Sequence, residues 1–221
     1  VAAVADESAP ATPAPAAESA KAATEDKETE TVTPAPAQGA KTVETSPEGC
    51  RIEKFTVRSP SMQRDIPAVV VLPPGYDAQA ATTYPILYTL HGASAPYDTW
   101  SQMSRLRRAL KDMPMIVTCF SGDEASMYVD STTTPTSQFT TFFFDEFVPV
   151  IDAHYRVDTT RRGVTGFSMG GFGAMHYMLA RPEVFCSVSG LSSAYGSVRG
   201  RTLLERWLGP KDENQAAYDR C

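Results

Sequence analysis

The sequence predicts an α/β fold, a mostly parallel sheet with helices on both faces, and three observations carry that prediction. Strand-like and helix-like runs alternate from residue 51 onward. Two strand-like runs come first, with no helical pattern between them. A glycine-rich turn, Gly166-Phe167-Ser168-Met169-Gly170-Gly171, then joins a strand-like run to a helix-like one.

Residues 51–58 alternate Ile52, Phe55 and Val57 with polar side chains until Ser59-Pro60 breaks the pattern. Residues 68–72 form a short β-branched run stopped by Pro73-Pro74-Gly75, and residues 85–90 an apolar run ending at His91-Gly92. Trp100, Met103, Leu106 and Leu110 recur at helical spacing. Residues 115–120 read as a buried strand, and 139–155 as a helix through Phe143, Phe147, Val150, Ile151 and His154. A strand over 162–167 leads into Ser168, and a helix over 170–180 stops at Arg181-Pro182. Residues 185–188 make a last strand and 202–207 a last short helix.

The first 49 residues are of another kind. They hold 14 Ala and 6 Pro, with no aromatic residue and no Leu, Ile or Met. Nine acids against three lysines place the whole net charge of −6 there, while the rest of the chain balances 17 basic with 17 acidic side chains. So little apolar surface does not offset the ordering entropy, so residues 1–49 are expected to be a disordered Ala/Pro/Glu-rich tail or linker and residues 50–221 the folded domain. A neutral domain has no basic face for a phosphate backbone, which excludes nucleic acid as a partner. No apolar run approaches the ~18 residues of a membrane span. The chain opens on Val1, and Ala3-Val4-Ala5 before Asp6 has the small-x-small form of a signal-peptidase site, pointing to a secreted or periplasmic location. Cys50, Cys119, Cys186 and Cys221 lack metal-ligand spacing. Cys119 and Cys186 fall in apolar runs and read as buried thiols; Cys50 and Cys221 bracket the domain, and their pairing stays open.

The chemistry concentrates at residues 166–171. G-x-S-x-G between a strand and a helix is the pattern of a sharp turn that lifts a serine hydroxyl above a sheet. Glycines at 166 and 170 let the backbone crowd there, and the helix N-terminus aims free N–H groups at the reacting centre. This makes Ser168 the candidate nucleophile. The Leu90-His91-Gly92-Ala93 segment after a central strand is the candidate partner loop, with the amides of Ala93 and Met169 as oxyanion donors. His91 reads as a brace for that loop through its ring nitrogens.

Further segments carry a resemblance. Asp65-Ile66-Pro67 leads to Val71-Leu72-Pro73-Pro74-Gly75-Tyr76, and Tyr84-Pro85-Ile86-Leu87-Tyr88 runs into the His91-Gly92 loop. Trp100, Tyr128-Val129-Asp130-Ser131 and Phe144-Asp145-Glu146-Phe147-Val148-Pro149 follow, and then the serine turn. Over about residues 51–215 the chain resembles the esterase family of α/β-hydrolases that includes esterase D (S-formylglutathione hydrolase), tributyrin, feruloyl and acetyl-xylan esterases and the mycobacterial mycolyltransferases. The resemblance implies an α/β-hydrolase fold and a serine carboxylester hydrolase acting through an acyl-enzyme at Ser168. It also implies a small-molecule or carbohydrate ester as substrate, and neither metal nor cofactor. Trp100 and Tyr128 are candidate pocket-wall residues or, equally, core aromatics. Acyl transfer to a sugar or lipid hydroxyl and a non-catalytic binding module are the alternatives.

One feature departs from the family. Its triad runs Ser, then Asp or Glu, then His, yet the only histidine after Ser168 is His176, two turns along the nucleophile helix. Glu183, Asp212, Glu213 and Asp219 follow the serine, and none is assigned as the triad acid. The expectation is a domain lacking its C-terminal strands, with triad acid and histidine beyond Cys221, and a chain inactive by itself.

Overall fold

The computed structural model describes residues 41–76, 81–196 and 198–220, so residues 1–40, expected to be a tail, lie outside the described residues. Seven strands form one sheet: β1 (Thr42–Thr45), β2 (Arg51–Ser59), β3 (Arg64–Leu72), β4 (Tyr84–Leu90), β5 (Ile116–Phe120), β6 (Val157–Phe167) and β7 (Ser187–Leu191). Their order is β1-β2-β3-β5-β4-β6-β7. The first three form an antiparallel entry that joins β5, and β5, β4, β6 and β7 run parallel.

The side-chain alternation of β3 shows why both faces must be covered. Ala68, Val70 and Leu72 belong to the larger core, whereas Val69 and Val71 pack with Val117, Cys119 and Leu110 on the opposite face. Helix α1 (Ser104–Asp112) supplies Leu106 and Leu110 to the smaller core. The larger core lies under α2 (Phe139–Thr141), a π-helical stretch Phe142–Phe147, α3 (Val148–His154) and α4 (Met169–Ala180). Aromatic rings dominate it: Phe143 stacks on Tyr177 at 4.3 Å, and Phe120 meets Phe147 at 4.9 Å. The predicted architecture, a mostly parallel sheet with helices on both faces, is the observed one.

Two expectations change. Strand β1 lies inside the presumed tail. All four of its residues are exposed, so no burial pattern marks it in the sequence. It pairs with β2, and the neighbouring Lys41 reaches the buried Glu53 carboxylate at 2.6 Å. Order therefore begins before residue 50. Cys186, read as buried, is exposed. It precedes β7, the outermost strand, four of whose five residues are exposed because only β6 pairs with it. Cys119 is buried as expected, and Cys50 is a buried free thiol whose S–H donates to the Arg107 carbonyl. Cys221 lies outside the described residues.

After β7 come α5 (Val198–Leu208) and α6 (Gln215–Tyr218). The loops at the C-terminal ends of β4, β6 and β7 meet above the sheet, where ligands bind in open α/β folds.

Candidate active site

Ser168 stands between β6 and α4 with φ 55° and ψ −112°, a conformation that L-residues with a side chain avoid. Such strain persists only when the surroundings over-determine it. The Ser168 N–H donates to the Leu191 carbonyl at 2.9 Å, and the Ser168 carbonyl accepts from the N–H groups of Phe172 and Ala194, each at 3.1 Å. Packing allows no alternative turn. A Cβ on Gly166 would sit 2.1 Å from the Gly170 carbonyl oxygen, and one on Gly170 would sit 2.1 Å from that of Leu90.

A cavity of about 450 Å³ opens at this turn, within the ~300–1,000 Å³ range of small-molecule sites. Ser168 and Met169 line it together with Gly92 and Ala93, so the predicted nucleophile and both predicted oxyanion donors share one space. Among the described residues neither the Ala93 nor the Met169 amide has an acceptor. The Met169 N–H is one of the donors that the first turn of a helix leaves unpaired.

His91 is the predicted brace. Its Nε2 accepts from the Gly122 N–H at 2.8 Å, so the ring proton sits on Nδ1 and donates to the Gly92 carbonyl at 2.8 Å. Burial pushes the imidazole pKa down, which keeps it neutral. The Tyr128 hydroxyl donates to the His91 carbonyl at 3.1 Å. The loop is thus held at the His91 and Gly92 carbonyls, two residues and one residue before Ala93.

Trp100 and Tyr128, candidates for the cavity wall, do not line it. Tyr128 is fully buried, its ring seated in slots that Gly122 and Gly173 leave open, where a Cβ would come within 2.4 Å and 2.6 Å of the ring. The Trp100 indole N–H donates to the Leu90 carbonyl at 3.2 Å, and the ring packs on the smaller core. Both support the loop over residues 90–93 through hydrogen bonds to its carbonyls.

The family model described as "Putative esterase" matches residues 59–220. The chain belongs to this esterase family. The esterase Rv1288 of Mycobacterium tuberculosis is 32% identical over 151 residues, 64% of this chain and 32% of that protein. Mouse S-formylglutathione hydrolase (Mus musculus) is 31% identical over 104 residues, 44% of this chain and 37% of its own. The chain therefore spans about a third of the length of these curated relatives. Among solved structures, an S-formylglutathione hydrolase from Agrobacterium tumefaciens superposes with a TM-score of 0.71 at 24% identity, covering 81% of this chain and 70% of its own. The fold is that of the α/β-hydrolase esterases.

The His154 Nδ1 is hydrogen-bonded to the Val150 carbonyl of its own helix at 2.8 Å. His176 sits toward the far end of α4, its Nε2 at 2.9 Å from the Thr140 hydroxyl, and lines a separate cavity with Val129, Asp130 and Leu179. No histidine, Asp or Glu among the described residues lines the Ser168 cavity.

Burial drives the His176 imidazole down to about 4 from its ordinary 6.5. In the unfolded chain it gains a proton below 6.5 that the folded chain refuses until about 4, so stability is lost as pH falls through that window. The loss amounts to about 3 kcal/mol. His176→Gln is expected to flatten this acid limb in urea unfolding midpoints measured from pH 7 to 4. An unchanged limb would place the titration elsewhere.

The rest of the cavity wall was not singled out in the sequence. Ser192, Ser193 and Ala194 follow β7, and Leu203 comes from α5. A run of small residues after the last parallel strand was the available signal, since sites gather at such strand ends.

Proposed function

We propose that Ser168 is the nucleophile of a carboxylester hydrolase working through an acyl-enzyme. The observation that carries this is the strained Ser168 turn, opening into one cavity with the two unpartnered amides of Ala93 and Met169. The Ser168 oxygen attacks the ester carbonyl, and the oxyanion that develops is held by the two N–H groups. The carbonyl re-forms as the alcohol leaves, and water then releases the acid and restores the serine. The first turn of α4 adds its positive dipole end at the oxyanion.

The proton acceptor is none of His91, His154 and His176, whose rings brace the loop, bond their own helix, or face another cavity. We place it on a segment outside the described residues. The protein as it occurs in its source is expected to take up a fluorophosphonate at Ser168 and to hydrolyse short esters. Residues 1–221 alone are expected to show only the ~10³–10⁴-fold acceleration over water that an oxyanion hole gives without a base. Turnover of residues 1–221 above about 1 s⁻¹ would instead make one of the three histidines the base.

A further inference from the structure

We infer that Leu203 sets the length of the acyl group that the Ser168 cavity accepts, and that this group is uncharged; the inference rests on the serine-esterase reading above. In an acyl-enzyme the acyl group stays on Ser168 while the alcohol departs, so the cavity lining touches the acyl chain. Most of that lining is small. Gly92, Ala93, Ala95, Ser192, Ser193 and Ala194 all line it. Met169 lines it too, but it is almost fully buried. Among the described residues, Phe167 and Leu203 are the large side chains in the lining that are not buried.

These two differ in what holds them. Phe167 ends β6, beside the over-determined serine turn, and its ring lies against Gly92. Among the described residues, Leu203 is the one that α5 contributes to the lining. Helix α5 is anchored one turn further on, at Trp207. The Trp207 indole N–H donates to the Ala125 carbonyl at 2.5 Å, and its own carbonyl accepts from the Ser131 hydroxyl at 2.8 Å and the Thr132 N–H at 3.0 Å. Leu203 and Trp207 are four residues apart and share a helix face, so fixing Trp207 fixes where Leu203 stands. Leu203 also packs against the larger core, half-buried. It is a rigid stop rather than a loose flap. Among the described residues no charged side chain lines the cavity, so a charged acyl group would lose its hydration there with nothing to pair it.

The test uses the protein from its source, with kcat/KM measured on p-nitrophenyl acetate, butyrate, hexanoate and octanoate and on the mono-p-nitrophenyl ester of succinate. Fluorophosphonate labelling of Ser168 is measured alongside. Leu203→Ala is expected to raise the octanoate-to-acetate ratio at least ~10-fold, the scale of one methylene in an apolar pocket. Leu203→Phe is expected to lower it, and succinate is expected to be poorer than butyrate throughout. Thermal melts select variants that remain folded, and either one suffices. If Ser168 is labelled but the ratio moves less than twofold in a folded variant, the role of Leu203 is wrong and the esterase reading stands. If succinate matches butyrate, the charge argument falls. If Ser168 is never labelled and Ser168→Ala still hydrolyses ester, the esterase reading fails and this inference fails with it.

Discussion

Ser168→Ala is expected to lower kcat/KM for ester hydrolysis by about 10⁶-fold in the protein from its source, with the melting temperature unchanged. The size follows from the chemistry: without Oγ no acyl-enzyme forms, and the oxyanion donors alone stabilise only attack by free water. The unchanged melting temperature follows from the geometry. Alanine keeps the serine Cβ, so the conformation at φ 55° carries the same strain in both proteins. The hydrogen bonds that impose it, to Leu191 and from Phe172 and Ala194, use the backbone only. Among the described residues the Ser168 hydroxyl makes no hydrogen bond that its removal would orphan. Steady-state kinetics on p-nitrophenyl acetate with a parallel melt decides it. Activity within tenfold of the parent would remove Ser168 from the chemistry.

The Ser168 turn was legible because its constraint is local. A turn this sharp requires glycine at 166 and 170, and the requirement is written into six consecutive residues. His91 was legible for a related reason, because it sits in the loop it braces. The parallel strands β4 and β5 showed as apolar runs, since a strand covered on both faces has no polar side. What the sequence hid depends on partners far along the chain. The two glycines that seat Tyr128 lie at 122 and 173, and only the fold brings the second under the ring. Strand β1 has no buried residue and is defined by pairing with β2, so composition placed it in the tail. The exposure of Cys186 follows from the edge position of β7, which residues 185–188 do not encode. Leu203 stood in a plain amphipathic helix, and its place at the cavity depends on Trp207 being held by residues 125–132.

Gly170→Val is expected to prevent folding, and Gly170→Ala to come close to doing so. A Cβ at residue 170 would lie 2.1 Å from the Leu90 carbonyl oxygen, 2.5 Å from its carbon and 2.7 Å from the His91 oxygen. All three are backbone atoms, so no rotamer change relieves the clash. Nor can the helix retreat. Ser168 is tied to Leu191 and Ala194, while the Leu90–His91 backbone is held by the Trp100 indole, the Tyr128 hydroxyl and the His91 ring. Moving either side breaks buried hydrogen bonds at ~1–3 kcal/mol each, and two or three of them approach the ~5–15 kcal/mol by which a domain is stable. Gly75→Ala is the control. Its φ is 77° and nothing lies within 4 Å of the added Cβ, so it should cost only the ~1–2 kcal/mol of a left-handed residue. Urea unfolding of the soluble fraction compares them. A Gly170→Val protein with the parent's midpoint would mean that α4 does not press on the Leu90 loop, and the close approach that aligns Met169 with Ala93 would be lost from the site.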